Sequence, residues 1–372
     1  MRVRRRRIIF AVAAIAILLS ATVTVAFVEL NRNKSPGSGS ITTQWLNQEL
    51  INWKPSSNGS LIFGATALRS SYGIKSYNTV RVQASEIKML LSTNVSAIRI
   101  DIGYGPWLTN NTAIISEITS AVNLVRSSGK ALIIADASSE TYRSGGQLNW
   151  TDFKQQWIQR VRTLASLYHP YAYIVVKEPG WYFPMISDAL TNPLVHSPYD
   201  WSNLTVSLIS AVKSVSPQTL VGASVAAYDL YNSSSYQGKV SFNVRYLQLV
   251  EKIPSLDFIG FDIYDTQGFF GTMKFLTQNG NGGKAVWIAE AWSGDGKYID
   301  NPSRAMLDRE WMEVLYYFAL KINASAVLPF YTDFFSSYTW NTNSSDIISN
   351  YNLRQPVFYE FQSLATLYGL PA

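Results

Sequence analysis

The sequence predicts an α/β fold, a (β/α)8 TIM barrel that follows an N-terminal transmembrane helix. Eight short runs of apolar and β-branched residues alternate with longer segments of helical periodicity from residue 60 onward. These runs are almost continuously apolar, which is typical of parallel strands covered on both faces. A basic segment followed by a long apolar run at the N-terminus predicts the transmembrane element.

The predicted strands follow one another at intervals that suit a barrel of eight strand–helix units. They span residues 60–66, 96–102, 130–137, 171–179, 220–228, 256–264, 284–292 and 325–333. Candidate helices lie between them, such as 149–168 and 302–322, and the second carries apolar residues at i, i+3 and i+4 spacing. An open doubly wound sheet is the alternative, but no glycine-rich phosphate loop follows the first strand. The pattern therefore favours the barrel.

The N-terminal residues have the features of an export signal that stays in the membrane. Five arginines in residues 1–7 precede an apolar run, 8–28, which as a helix is about 31 Å long and can cross a bilayer. Because basic residues stay in the cytoplasm, we expect the rest of the chain outside the cell. We therefore predict a cytoplasmic segment (1–7), a transmembrane signal anchor (8–28), a linker (29–45) and a barrel domain (46–372). A cleaved signal peptide ending near Ala26 is the alternative, and it predicts a secreted protein.

Nine Asn-x-Ser/Thr sequons fit a glycosylated protein outside the cell. They begin at Asn33, Asn58, Asn94, Asn110, Asn149, Asn203, Asn232, Asn323 and Asn343. A sequon permits glycosylation without requiring it, so the sequence predicts a glycoprotein but not which of these asparagines carry glycans.

Charge and composition exclude several classes of function. The net charge of +6 comes from the first 34 residues, and the remaining chain carries 24 basic and 24 acidic residues. A neutral domain has no field to attract phosphates, so we predict no nucleic-acid partner. The absence of cysteine excludes disulfides, thiolate metal sites and a cysteine nucleophile. The two histidines, His169 and His196, lie away from the strand ends, which argues against a Ser-His-Asp site.

Polar and aromatic side chains gather at the C-terminal ends of the predicted strands, where barrel active sites lie. They are Arg99, Asp101, Asp136, Glu178, Tyr228, Asp229, Asp262, Tyr264, Glu290, Trp292, Tyr331 and Asp333. Glu178 and Glu290 each end a strongly apolar strand, and a buried carboxylate is costly unless it is paired or functional. An ion pair inside the barrel, such as Arg99 with Glu290, is the structural alternative. A metal site built from Asp101, Asp136 and Asp262 is a further alternative, but we predict no cofactor.

The sequence resembles the clan-A glycoside hydrolases, retaining (β/α)8 enzymes, in a few short motifs. Lys177-Glu178-Pro179 ends the fourth strand and Ile288–Trp292 ends the seventh. The resemblance implies that Glu178 is the acid/base and Glu290 the nucleophile. It also implies that Tyr264, at the end of FIGFDIY, hydrogen-bonds the nucleophile and that Arg99 supports it. From their strand-end and loop positions, Asp136, Lys177, Trp181, Trp292 and Tyr331 are further candidates for contacts with a carbohydrate substrate.

Lys177 departs from the clan's pattern, which usually has an asparagine before the acid/base residue. A cation beside Glu178 would favour the ionised carboxylate, opposite to what a general acid needs. Three explanations stay open: an acidic working pH, a Lys177 that points away from Glu178, or an altered site. The altered site leads to the main alternative function, a catalytically inactive barrel on the cell surface that binds glycans. The expected function is an extracellular retaining hydrolase of β-linked oligo- or polysaccharides, working by double displacement.

Overall fold

A computed structural model describes residues 61–67, 87–136, 148–231, 241–291, 302–329, 336–341, 346–353 and 355–368. Eight parallel strands in sequence order close into a barrel. They are β1 (Ile62–Thr66), β2 (Ala97–Ile102), β3 (Ala131–Asp136), β4 (Ala172–Lys177), β5 (Leu220–Ala226), β6 (Phe258–Ile263), β7 (Ala285–Ala291) and β8 (Ala326–Pro329). Two further strands, β9 (Ser336–Asn341) and β10 (Asp346–Leu353), form a separate antiparallel pair. The predicted TIM barrel is confirmed.

Helices follow the strands as the alternation predicts. In the described residues they are α1 (Gly105–Leu108), α2 (Thr112–Ser127), α3 (Trp150–Tyr168), α4 (Pro198–Lys213), α5 (Tyr228–Tyr231), α6 (Phe242–Val250), α7 (Thr266–Asn279), α8 (Pro302–Lys321) and α9 (Gln355–Tyr368). Two 3-10 helices, Pro179–Met185 and Pro193–His196, occupy the segment between β4 and α4. Where both ends can be compared, the strands differ from the predicted ranges by at most two residues at either end.

The barrel interior is filled by side chains rather than open. Phe258 of β6 and Trp287 of β7 stack with ring centroids 3.8 Å apart in its lower part. Gly222 of β5 makes this packing possible, because a Cβ atom there would lie 2.2 Å from the Phe258 ring. The glycine thus leaves room for the two large rings, which fill the barrel interior at this level.

The segment after β4 is tied to α3 by Asp188. Its Oδ1 accepts a hydrogen bond from the backbone N–H of Trp150 at 2.9 Å, and its Oδ2 accepts one from the Asn192 amide at 2.8 Å. The hydrogen bond from Asn192 is the main cause that lowers the pKa of Asp188, with the Trp150 N–H adding to it. The two 3-10 helices are therefore anchored to the barrel's outer layer.

The predicted N-terminal segments, including the anchor 8–28 and the linker 29–45, lie outside the described residues. The described residues all belong to one compact unit, Glu49–Ala372. Within those residues, every helix is too short or too polar to cross a membrane. The membrane anchor stays a prediction from the sequence.

Candidate active site

The polar layer above the barrel core is centred on Glu290 of β7. Its side chain is fully buried. Arg99 donates to Oε2 at 2.9 Å, and the Tyr264 hydroxyl donates to Oε1 at 3.0 Å. Lys177 lies 3.4 Å from Oε2. Two cations and a hydroxyl donor favour the ionised carboxylate and fix its orientation.

Arg99 of β2 organises the layer beneath Glu290. Its guanidinium donates to both oxygens of Asp101, at 2.7 and 3.0 Å, and also to the carbonyl of Ala289. Burial alone would lower the pKa of Arg99, but the charges of Asp101 and then Glu290 outweigh it and raise that pKa. Arg99 is therefore a fixed, permanently charged partner of the nucleophile position.

Lys177 contacts Asp101 and Glu290. Its ammonium group lies 3.1 Å from Asp101 Oδ2 and 3.4 Å from Glu290 Oε2, and the residue is 8% exposed. Of the three explanations left open by the sequence, this geometry supports a lysine that is directed to other acids than Glu178. The cation adds to the positive charge around Glu290.

Glu178 stands at the end of β4 in a strained conformation. Its backbone is left-handed, with φ of 50° and ψ of 72°, and the side chain is only 6% exposed. Pro179 follows, and the Glu178 N–H donates to the carbonyl of Ser224 on β5 at 2.9 Å. A left-handed non-glycine residue persists only where its surroundings hold it, and such residues cluster at functional sites. The structure thus holds the predicted acid/base residue at a defined point of the strand end.

Irregularities of the strands aim these side chains inward. In β4 the pairing with β5 shifts between Ile174 and Val176, and in β7 the pairing with β6 shifts so that Glu290 lies opposite Asp262. Because strand side chains alternate, each shift changes which residues point into the barrel. Both shifts occur one to three residues before a site residue.

Asp136 is placed differently from our prediction that it contacts substrate. Its carboxylate accepts from Arg160 of α3 at 2.6 Å, and both side chains are buried. The alternation of β3 explains this placement, because Ile133 and Ala135 belong to the interior cluster and Asp136 has the opposite parity. Asp136 is thus part of an ion pair between β3 and the helix that follows it, which does not support a role in binding substrate.

Arg160→Met is expected to destabilise the fold by about 3–5 kcal/mol, because it leaves the Asp136 carboxylate buried without its cation. Chemical denaturation measures the loss. The double variant Arg160→Met/Asp136→Asn, which removes both charges, should recover part of it. If Asp136 is structural, kcat/KM of the remaining folded protein stays close to wild type. A large fall in kcat/KM in these variants without a loss of stability would show that Asp136 takes part in substrate binding or catalysis.

The positions of three predicted aromatic site residues, Trp181, Trp292 and Tyr331, cannot be compared with the glutamates. Trp292 and Tyr331 lie outside the described residues, and for Trp181 only the backbone is described. Tyr182, the neighbour of Trp181, is 1% exposed, and its ring centroid lies 4.6 Å from that of Trp157. It belongs to the aromatic core rather than to a sugar platform.

Three residues near the glutamates have no predicted role in catalysis or substrate binding, although Asp101 and Tyr228 are among the polar residues predicted at the strand ends. Arg99 and Lys177 both contact Asp101. Because Asp101 lies two residues after Arg99 on β2, the sequence indicates that these two side chains point to the same face of the strand. Ser224 donates to Asp262 at 2.8 Å and lies beside Glu178 through its carbonyl. Tyr228 has a pKa raised to about 12, first by burial and then by the charges of Asp229 and Glu178.

The alternative metal site is not assembled. Asp101, Asp136 and Asp262 bond to three different partners, as described above. Across the part of the chain that the structure describes, no group of three histidine, aspartate or glutamate side chains is arranged to hold a metal ion. The geometry is that of a carboxylate held by cations.

Comparison with known proteins shows the fold. No family model and no curated protein matches the sequence. A β-glucosidase from Thermotoga maritima in complex with methoxycarbonyl-substituted glucoimidazole is similar, with a TM-score of 0.55 and 12% identity, over 85% of this chain and 99% of that one. The virulence factor SghA with its substrate analogue salicin has a TM-score of 0.58 and 10% identity, over 86% and 98%. A family 1 β-glucosidase from Thermotoga maritima has a TM-score of 0.55 and 9% identity, over 85% of this chain and 99% of that one. The chain therefore has the barrel fold of the family 1 β-glucosidases.

Proposed function

We propose that this protein is a retaining glycoside hydrolase of β-linked oligo- or polysaccharides. The observation that carries the proposal is Glu290, a fully buried carboxylate at a strand end that Arg99, Lys177 and Tyr264 hold ionised and oriented. A second glutamate, Glu178, ends β4 in a strained conformation. Two carboxyl groups of unlike environment at the mouth of a barrel suit a nucleophile and an acid/base catalyst.

The mechanism assigns one role to each glutamate. Glu290 attacks the anomeric carbon while Glu178 gives its proton to the leaving oxygen, and a glycosyl-enzyme forms. Glu178 then takes a proton from water, whose oxygen attacks the anomeric carbon and displaces the Glu290 carboxylate, so the sugar leaves with its original anomeric configuration. Arg99, Lys177 and Tyr264 orient Glu290, and the cations keep it ionised between turnovers.

The inactive glycan-binding barrel loses the feature that favoured it. That alternative depended on a lysine whose charge disables Glu178, but Lys177 is engaged by Asp101 and Glu290. The same cation supports a nucleophile. We therefore propose catalysis and treat binding without turnover as an outcome of the test.

The test is an activity screen of the purified full-length protein. Aryl β-glycosides and β-glucan, mannan and galactan are incubated with it from pH 3 to pH 7, and proton NMR follows the anomer released first. The similar proteins are β-glucosidases, so β-glucosides are the first substrates to try. Release of the β-anomer supports the proposal. Release of the α-anomer, cleavage of α-glycosides only, or binding without cleavage contradicts it.

We further propose that the catalytic domain lies outside the cell, held by residues 8–28 in the membrane. The apolar run, the preceding arginines and the sequons support this location. Protease added to intact cells should digest the barrel domain and leave a short membrane-bound fragment. A barrel domain protected in intact cells and digested only after lysis would contradict the location.

Lys177→Met is expected to move the acidic limb of the kcat/KM profile to higher pH by about one unit, because Glu290 loses one of its two cations and takes up a proton more readily. The pH dependence of kcat/KM on one aryl β-glycoside measures this shift. Lys177→Arg, which keeps the charge, is the matched control. An acidic limb that stays in place in Lys177→Met would show that the lysine does not act on Glu290.

A further inference from the structure

Asp262 of β6 is a third carboxyl group at the site, for which the mechanism above has no role. It lies opposite Glu290 in the pairing of β6 with β7, and neighbouring strands are about 4.8 Å apart. The side chain is fully buried. Gly260, two residues earlier, belongs to the same interior face, since a Cβ atom there would lie 2.7 Å from the Ser224 side chain. Asp262 thus belongs to the polar layer that is centred on Glu290.

The charges that act on Asp262 are unfavourable for an ionised carboxylate. Among the described residues they are those of the acids Glu178 and Glu290 and that of Arg99, whose guanidinium donates to Asp101 and Glu290. Charging a fully buried carboxyl group in these surroundings is costly, and buried groups take up protons instead.

The hydrogen bonds of Asp262 fit a protonated carboxyl group. Its Oδ2 accepts from the Ser224 hydroxyl at 2.8 Å, whereas its Oδ1 receives no hydrogen bond from any described residue. An ionised oxygen needs a donor, while a protonated one is itself a donor. The charged groups that act on Asp262 besides Arg99 are Glu178 and Glu290, whose oxygens can accept. Burial first, and then Glu178 and Glu290, raise the pKa of Asp262 well above its ordinary value, although Arg99 and the Ser224 hydroxyl oppose this.

We propose that Asp262 is a positioning residue of the active site, a neutral carboxylic acid beside Glu290 that keeps its proton at neutral pH. This inference rests on the proposed function for its catalytic meaning. A neutral Asp262 leaves both cations to Asp101 and Glu290 and adds no negative charge that would compete for Arg99.

Asp262→Asn is the decisive variant, because asparagine has the shape of a protonated aspartic acid. Its amide oxygen can accept from Ser224, and its NH2 group donates where a protonated Oδ1 would donate. Asp262→Ala removes both interactions. If Asp262 is neutral, Asn should keep at least about tenfold more of the wild-type kcat/KM than Ala.

Two measurements on the full-length protein need no substrate. Folded Asp262 keeps its proton while the unfolded chain releases it above about pH 4, so the wild type loses stability as the pH rises from there. The melting temperature of Asp262→Asn minus that of the wild type should therefore increase from pH 4 to pH 8, by about 2 °C or more. The difference between the infrared spectra of the wild type and Asp262→Asn at pH 7 should contain a protonated carboxyl C=O band from Asp262, whereas any band from Glu178 is common to both proteins.

Asp188→Asn is the matched control. Its carboxyl group has a lowered pKa in the folded protein, so its contribution to stability is present above the pKa of the unfolded chain and is lost as the pH falls. The difference in melting temperature should therefore change with pH in the opposite sense, and the infrared band should remain.

Three results would overturn the neutral Asp262: a wild-type minus Asp262→Asn difference spectrum without the protonated carboxyl band, a melting-temperature difference that does not increase with pH, or an alkaline limb of kcat/KM that moves to lower pH in that variant. The last result would mean that wild-type Asp262 is negatively charged and that its repulsion raises the pKa of Glu178. If the wild type hydrolyses no glycoside but the first two measurements agree with the expectation, the proposed function fails while the protonation of Asp262 stands.

Discussion

Glu290→Gly is expected to lower kcat/KM on aryl β-glycosides by about 10⁴- to 10⁶-fold, the loss seen when a catalytic nucleophile is removed. The reason is specific to this site: Arg99, Tyr264 and Lys177 converge on the Glu290 carboxylate. Without it these donors have no reacting group to orient. Steady-state kinetics of the variant against wild type measures the loss.

Added azide then tests the role of Glu290 directly. Azide fits the space left by the carboxylate and should restore turnover of substrates with good leaving groups, with the glycosyl azide formed in the inverted configuration. Glu360, which is paired with Arg309, gives a control, because Glu360→Gln removes a partly buried carboxylate outside the cluster. Loss of activity without rescue, or a product of retained configuration, would contradict the nucleophile assignment.

The fold could be predicted from the sequence because one physical pattern repeats eight times. Each strand is buried on both faces, so its apolar run stands out from the amphipathic helices on either side. The order of the strands then places Arg99, Glu178, Tyr264 and Glu290 at one end of the barrel. The contacts of Arg99 and Tyr264 with Glu290 are those that the resemblance implies.

The side-chain directions could be predicted only where the strands are regular. Parity alone separates Asp136 from Ile133 and Ala135, and applying it would have removed Asp136 from the predicted set. The same parity fails for Lys177 and Glu290, because the register shifts in β4 and β7 turn them inward. Such a shift depends on the pairing of two strands and leaves no mark in either run of residues, so the partners of Lys177 could not be found from the sequence.

Glu178→Ala is expected to lower kcat/KM by about 10²- to 10⁴-fold on substrates whose leaving group needs a proton. The loss should be much smaller for aryl glycosides with acidic phenols, which leave without protonation. The position of Glu178 supports this role, since it follows β4 at the same end of the barrel as Glu290 of β7 and its side chain is buried. Comparison of kcat/KM across a series of phenol leaving groups measures the difference.

The pH profile distinguishes an acid catalyst from a residue that only shapes the strand end. Wild type should lose activity on the alkaline side as Glu178 gives up its proton, and Glu178→Ala should lack that limb with an activated substrate. Because the left-handed backbone at position 178 carries strain, Glu178→Gly relieves it and serves as a second variant. If Gly and Ala lose the alkaline limb alike, the carboxyl group is the cause. If the alkaline limb persists in both variants, another group donates the proton. Asp262 then becomes the first candidate, because it is close enough for the charge of Glu178 to raise its pKa.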